Sequence, residues 1–125
     1  TNINFRGWLK YDDLAAAIND YDLCLGIFGD SLKADLVIPN KIYHYAAMGK
    51  AILTKDSPSM RQHFQDGKNI FLCSSHPQEI AEKIKCLLEQ QDQLSAVAKN
   101  ARQLMEEKYS HRILAHQFLE ALKAL

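Results

Sequence analysis

Apolar residues in this chain form two kinds of run, short unbroken blocks and longer stripes at helical spacing. Leu23-Cys-Leu-Gly-Ile-Phe28 is unbroken, bounded by Asp22 and Gly29, and too short for a helix. Such a block suits a strand covered on both faces, as in parallel sheets. Residues 51–54 and 70–73 read the same way, and residues 3–5, ending at Gly7, read as a further short strand. Between and after these blocks the period changes. Leu14, Ala15 and Ile18 recur at helical spacing, as do Ile80, Ala81, Ile84, Leu87 and Leu88. Leu94, Val97, Ala98, Ala101, Leu104 and Met105 continue the pattern, and Leu114, Phe118, Ala121, Leu122 and Leu125 make a last stripe.

Punctuation agrees with this parsing. Pro39 opens a helix over residues 39–49 that Gly49 closes, since proline fits a first turn and glycine a helix end. Ser57 before Pro58 is a cap followed by an N1 proline. Asp66-Gly67 marks a turn, Pro77 starts a helix and Ser110 is an N-cap. Residues 29–38 read as a loop. Strand and helix thus alternate before two closing helices, which predicts an α/β fold, a Rossmann-like doubly wound parallel sheet with C-terminal helices.

Composition narrows the picture without redirecting it. A chain of 125 residues, 47% hydrophobic and 24% charged, is one globular domain at most. Fifteen basic and 15 acidic residues cancel, so no global charge argues for nucleic acid as a partner. The three cysteines form no CxxC pair, and Cys24 and Cys73 lie in apolar blocks. They read as small buried hydrophobes, which points to a reducing compartment. No apolar stretch reaches the ~18 residues of a membrane span. His63, His76, His111 and His116 lack mutual metal-ligand spacing.

The segment LGIFGDSLKADLVIPNKIYHYAAMGKAIL, residues 25–53, carries the chemistry. It runs strand, polar loop, helix start, glycine end, strand. Ligands of open parallel sheets bind beyond the carboxyl ends of strands. The helix start there offers unpaired N–H groups and the positive end of a dipole. Pro39 has no N–H, but Asn40 and Lys41 each supply one, and Lys41 adds an ammonium. A phosphate or diphosphate suits that set. Ile42, Tyr45, Ala46 and Met48 read instead as core.

The ordered series Gly7-Trp8-Leu9, Asp22 to Phe28, Ile38-Pro-Asn-Lys-Ile-Tyr-His-Tyr-Ala-Ala-Met-Gly-Lys50, Ile52-Leu-Thr54, Ser57-Pro58, Asp66-Gly67 with Asn69, and Tyr109-Ser110 resembles the C-terminal domain of group 1 (retaining, GT-B) glycosyltransferases. The resemblance covers essentially the whole chain, and the P-N-K…A-x-G-K segment is its most specific part. It implies that residues 1–125 are part of the donor-nucleotide-binding half of a two-domain sugar transferase. It further implies that an opening strand and helix, with a glycine-rich turn and an Arg/Lys pair, precede this segment in the complete domain. Without them and the acceptor half, the fragment is expected to be inactive.

By that resemblance, Gly7, Trp8 and Leu9 lie beside the nucleobase, residues 29–38 face the donor sugar, and Asn40 and Lys41 approach the diphosphate. The implied partners are a nucleotide diphosphate sugar, which is substrate rather than cofactor, and a glycan or lipid-linked acceptor held by the other domain. No metal is implied. The implied setting is cytoplasmic, at the inner membrane of a bacterium through that other half, in cell-surface polysaccharide assembly. Two positions depart from the family pattern. His44 stands where many members place a glutamate for the ribose, and Leu36 where they place a second carboxylate. A neutral His44 still makes one hydrogen bond to a ribose hydroxyl. Leu36 does not replace a carboxylate, so either Ser31, Lys33 or Asp35 serves the sugar instead or the sugar contact differs, and the catalytic residues stay unassigned. A non-catalytic nucleotide-binding or scaffold domain of the same fold is the alternative reading.

Overall fold

The computed structural model describes residues 2–125. Its centre is a parallel sheet of three strands among the described residues, β1 (Leu23–Leu25), β2 (Ala51–Lys55) and β3 (Phe71–Cys73), in that spatial order. Leu25 pairs with Leu53, and Lys55 with Cys73. The β1–β2 ladder continues past the regular strand, because Gly26 N–H donates to Leu53 O and Lys55 N–H to Ile27 O. The apolar block at residues 23–28 is therefore extended over most of its length.

Among the described residues seven α-helices surround the sheet: α1 (Tyr11–Asn19), α2 (Leu32–Leu36), α3 (Asn40–Ala47), α4 (Pro58–His63), α5 (Pro77–Leu88), α6 (Gln91–Leu104) and α7 (His111–Lys123). Alternation along the strands divides the core between two faces. Ile52 and Leu72 pack with Ile42 and Ala46 of α3 and with Met60 and Phe64 at α4. Ala51, Leu53 and Phe71 face the other way, against Leu87 of α5 and Leu94 and Val97 of α6. Both faces of the central strand are buried, as parallel sheets require. Each fully buried Ile, Leu or Phe contributes about 1.5–3 kcal/mol by leaving water. Cys24 is buried too, and burial pushes its thiol pKa up, the behaviour of a packing residue.

The sheet is polar in its traffic. α6 begins on the second face and ends on the first, where Ala101 and Met105 join Ile42 and Ala46. On the way it passes the amino end of β2, with Arg102 donating to Ala47 O and the Arg102 Cβ within 3.7 Å of where a Cβ on Gly49 would stand. A π-helical turn, Met105–Tyr109, then leads to α7. The opposite, carboxyl end of the sheet is left to loops.

The caps follow the sequence closely. Ser57 and Ser110 accept from the N–H groups of Met60 and Ile113, with Pro58 at the first helical position. α3 ends in a Schellman motif: Gly49 has φ +65°, its N–H donates to Ala46 O, and Lys50 N–H donates to Tyr45 O. Gly67, at φ +72°, makes the expected turn.

Five expectations change. Residues 3–5 form no strand; Ile3 and Phe5 are exposed, because no described strand edge pairs with them. The described sheet has three strands rather than four. Residues 29–38 are not wholly loop, since Ser31 accepts from Ala34 N–H and nucleates the single turn and a half of α2. Pro39 is the extended N-cap of α3 rather than part of its first turn, with φ −62° and ψ 144°. The stripe on α7 exists, yet it buries nothing, and Phe118 is 65% exposed.

Candidate functional site

The carboxyl end of the sheet gathers three chain crossings: residues after β1, the β2–α4 junction and the β3–α5 junction. Their closest approach is at Gly26. A Cβ there would stand 2.2 Å from Thr54 Oγ1 and 2.4 Å from Thr54 Cβ, so only glycine fits. The fully buried Thr54 hydroxyl uses this proximity. It accepts from Ile27 N–H at 3.2 Å and donates to Ile27 O at 3.1 Å, locking β1 to β2 where the strands end.

α3 begins directly beyond this lock. With Pro39 as N-cap, Asn40 and Lys41 are the first two helical residues, and Pro39 provides no side-chain cap. The N–H groups of Asn40 and Lys41 have no acceptor inside the helix. Lys41 turns back, and its Nζ donates to Gly26 O at 2.6 Å. None of the described ion pairs includes it. Burial pushes its pKa below the ordinary lysine value. A half-buried ammonium on a neutral carbonyl, beside two free N–H groups, is an arrangement that gains from an arriving anion.

A second lysine stands on the same rim in a different state. Lys55, the last residue of β2, donates from Nζ to Gly29 O at 3.0 Å and pairs with Asp30 at 2.9 Å and Asp35 at 3.0 Å. Those hydrogen bonds to Asp30 and Asp35 hold its pKa above the ordinary value. Asp30 also accepts from Ser75 Oγ at 2.9 Å, and its carboxyl is held below the usual range, first by Lys55 and then by Ser75. The segment after β1 is thereby tied to the ends of β2 and β3.

The residues singled out in the sequence separate into groups. Asn40, Lys41 and His44 lie on α3, and Ser31 and Lys33 at α2. His44 meets the edge of Tyr11, ring centroids 6.2 Å apart, and lines both the α1–α3 groove and a groove of about 750 Å³ shared with Asn40, Tyr43, Tyr109 and Leu114. Ser31 is engaged as the cap of α2, Lys33 is exposed, and Asp35 is held by Lys55. Gly7 has φ +71°, and Trp8 and Leu9 beside it are exposed. Sequence reasoning missed Lys55, Asp30, Thr54 and Ser75. Their weak signal was position alone: each sits at, or within five residues after, the end of an apolar block.

A parallel α/β sheet with both faces of its central strand covered and its loops at the carboxyl end defines a Rossmann-like domain. The sequence family described as glycosyl transferase-like matches residues 1–120, and the chain belongs to it. The fold is that of the C-terminal domain of group 1, GT-B glycosyltransferases. HepE from Anabaena, solved with UDP and glucose and with UDP-glucose, superposes with a TM-score of 0.71 at 20% identity, covering 87% of this chain and 29% of that one. The C-terminal domain of LpcC, a group 1 family protein of Francisella tularensis, gives 0.61 at 20% identity, covering 84% and 52%. The chain thus spans about a third or less of HepE and about half of the solved LpcC domain chain. No curated protein sequence matches it.

Proposed function

We propose that this chain is the donor-binding part of a retaining sugar transferase, which moves a sugar from a nucleotide diphosphate sugar to a glycan or lipid-linked acceptor. The observation that carries this reading is the start of α3, where the N–H groups of Asn40 and Lys41 lack a helical acceptor and the Lys41 ammonium, in none of the described ion pairs, rests on Gly26 O in a member of a glycosyl transferase-like family. Positive charge there attracts the diphosphate and stabilises the departing nucleotide as the glycosyl bond breaks. Asn40 and Lys41 take the diphosphate, His44 a ribose hydroxyl, Ser31 and Lys33 the sugar side, and the turn Gly7-Trp8-Leu9 the base. The solved complexes of HepE with UDP and UDP-glucose support a nucleotide sugar as the ligand class. The acceptor is held by the rest of the protein, which also brings the site to the cytoplasmic side of a bacterial inner membrane for cell-surface polysaccharide assembly.

Lys41→Ala in the full-length protein tests the reading. Titration calorimetry is expected to show nucleotide affinity falling by about tenfold or more, the scale of a charge-assisted hydrogen bond, with little change in unfolding. Equal affinity in the two proteins removes Lys41 from the phosphate site. A second reading, a nucleotide-binding scaffold without catalysis, is favoured by His44 and Leu36 at positions where carboxylates are frequent. Tight nucleotide binding with no sugar transfer to any acceptor preparation selects it.

A further inference from the structure

The segment that bends over the carboxyl end of the sheet is held there by polar ties rather than by a core. α2 has no buried residue; Leu32 is 74% exposed and Leu36 66%. A helix of five residues does not persist alone in water. Its anchors are the Ser31 cap, a long contact from Ser59 Oγ to Val37 O at 3.4 Å, and the Lys55 bridge. Lys55 is the strongest of these. Its side chain is 15% exposed, and its Nζ donates to Gly29 O and pairs with Asp30 Oδ1 at 2.9 Å and Asp35 Oδ1 at 3.0 Å. Ordinary surface ion pairs hold little. This one is shielded, and it joins Gly29, Asp30 and Asp35 of the segment to the end of β2.

We propose that Lys55 is a positioning residue for the donor sugar: by bridging Asp30 and Asp35 it fixes residues 29–38 across the sheet in the shape that receives the sugar. The proposal rests on the donor-binding reading above. It also assigns Asp35 a role distinct from a sugar-binding carboxylate, since Lys55 already holds it. The field of Lys55 acts on any nucleotide, with or without a sugar, whereas the shape of the segment matters only to the sugar. The two effects separate in a ratio of affinities.

The experiment measures binding of UDP against UDP-glucose, and of GDP against GDP-mannose, to the full-length protein and to Lys55→Met and Lys55→Arg. For the pair that the wild type binds, Lys55→Met is expected to weaken the nucleotide sugar by about ten- to a hundredfold relative to the nucleotide, the scale of a misplaced positioning contact. Lys55→Arg keeps the charge and restores most of that ratio. Hydrogen exchange without ligand is expected to quicken in residues 29–38 of Lys55→Met and nowhere else. An unchanged ratio, or equal weakening of both ligands, overturns the proposal while leaving the donor site intact. A Lys55→Met protein that does not fold shifts the test to Asp35→Asn, which cuts one arm of the bridge, and an unchanged ratio there overturns it too. Failure of the wild type to bind any of the four ligands overturns the donor-binding reading and this proposal together.

Discussion

Lys41 and Lys55 stand on one rim of the sheet, yet their surroundings are opposite. Lys41 has a single neutral acceptor, Gly26 O, and burial lowers its pKa. Lys55 has three acceptors, two of them carboxylates that raise its pKa. The difference sorts their roles. Lys55 is already neutralised by its own chain and holds structure. Lys41 keeps a net charge that nothing in the described residues answers, and it gains when an anion arrives. A lysine near a ligand site is thus read better from its counter-charges than from its position.

The largest effect is expected where the two surroundings share a support. Gly26→Ala drives a methyl group into Thr54 and shifts the carbonyl that Lys41 uses. Destabilisation of about 1–3 kcal/mol or more, the range for forced overpacking, is expected in urea unfolding. An unchanged midpoint shows that the strand ends are looser than described.

Next in size is the order of titration. Reductive methylation with carbon-13 and NMR reads each lysine. Lys41 is expected to lose its proton below the ordinary value of about 10.4, and Lys55 above it. Burial makes the charged form of Lys41 unfavourable in the fold. Its contribution therefore opposes stability at pH below its lowered pKa, and that opposition lifts as pH rises towards the unfolded value. On the proposed donor-binding reading, any contribution of Lys41 to nucleotide affinity is expected to fade over the same alkaline interval. Reversed titration order ends the comparison. The smallest effect belongs to Ser75→Ala, which removes one hydrogen bond from Asp30 and leaves Lys55 in place. Faster exchange at Asp30 without a resolvable change in unfolding is expected; a large loss of stability moves the anchor from Lys55 to Ser75.

Much of the architecture was legible because it is encoded locally. Unbroken apolar blocks gave β1, β2 and β3, and the serine caps, Pro58, Gly49 and Gly67 sit where their backbone preferences put them. Residues 3–5 failed for a non-local reason, since an apolar triplet becomes a strand only beside an edge that accepts it. α2 was missed because five residues with exposed leucines carry no periodic stripe. At the candidate site, the place of Asn40 and Lys41 at a helix start was visible from helix grammar. The Lys55 bridge was not, because Asp30, Asp35 and Ser75 meet it only through the crossing of three chain segments.

The route of α6 past the amino end of the sheet divides the molecule for evolution as well as for packing. Ala51, Leu94, Ala101 and Gly49 are confined by neighbours on that side, so change there is felt by the whole fold. Ser31, Lys33, Asn40 and His44 border open space at or near the other end, where new side chains alter recognition with little disturbance of the core. Substitutions are therefore tolerated by drift at one end of the sheet, while the other end keeps the protein folded through the change.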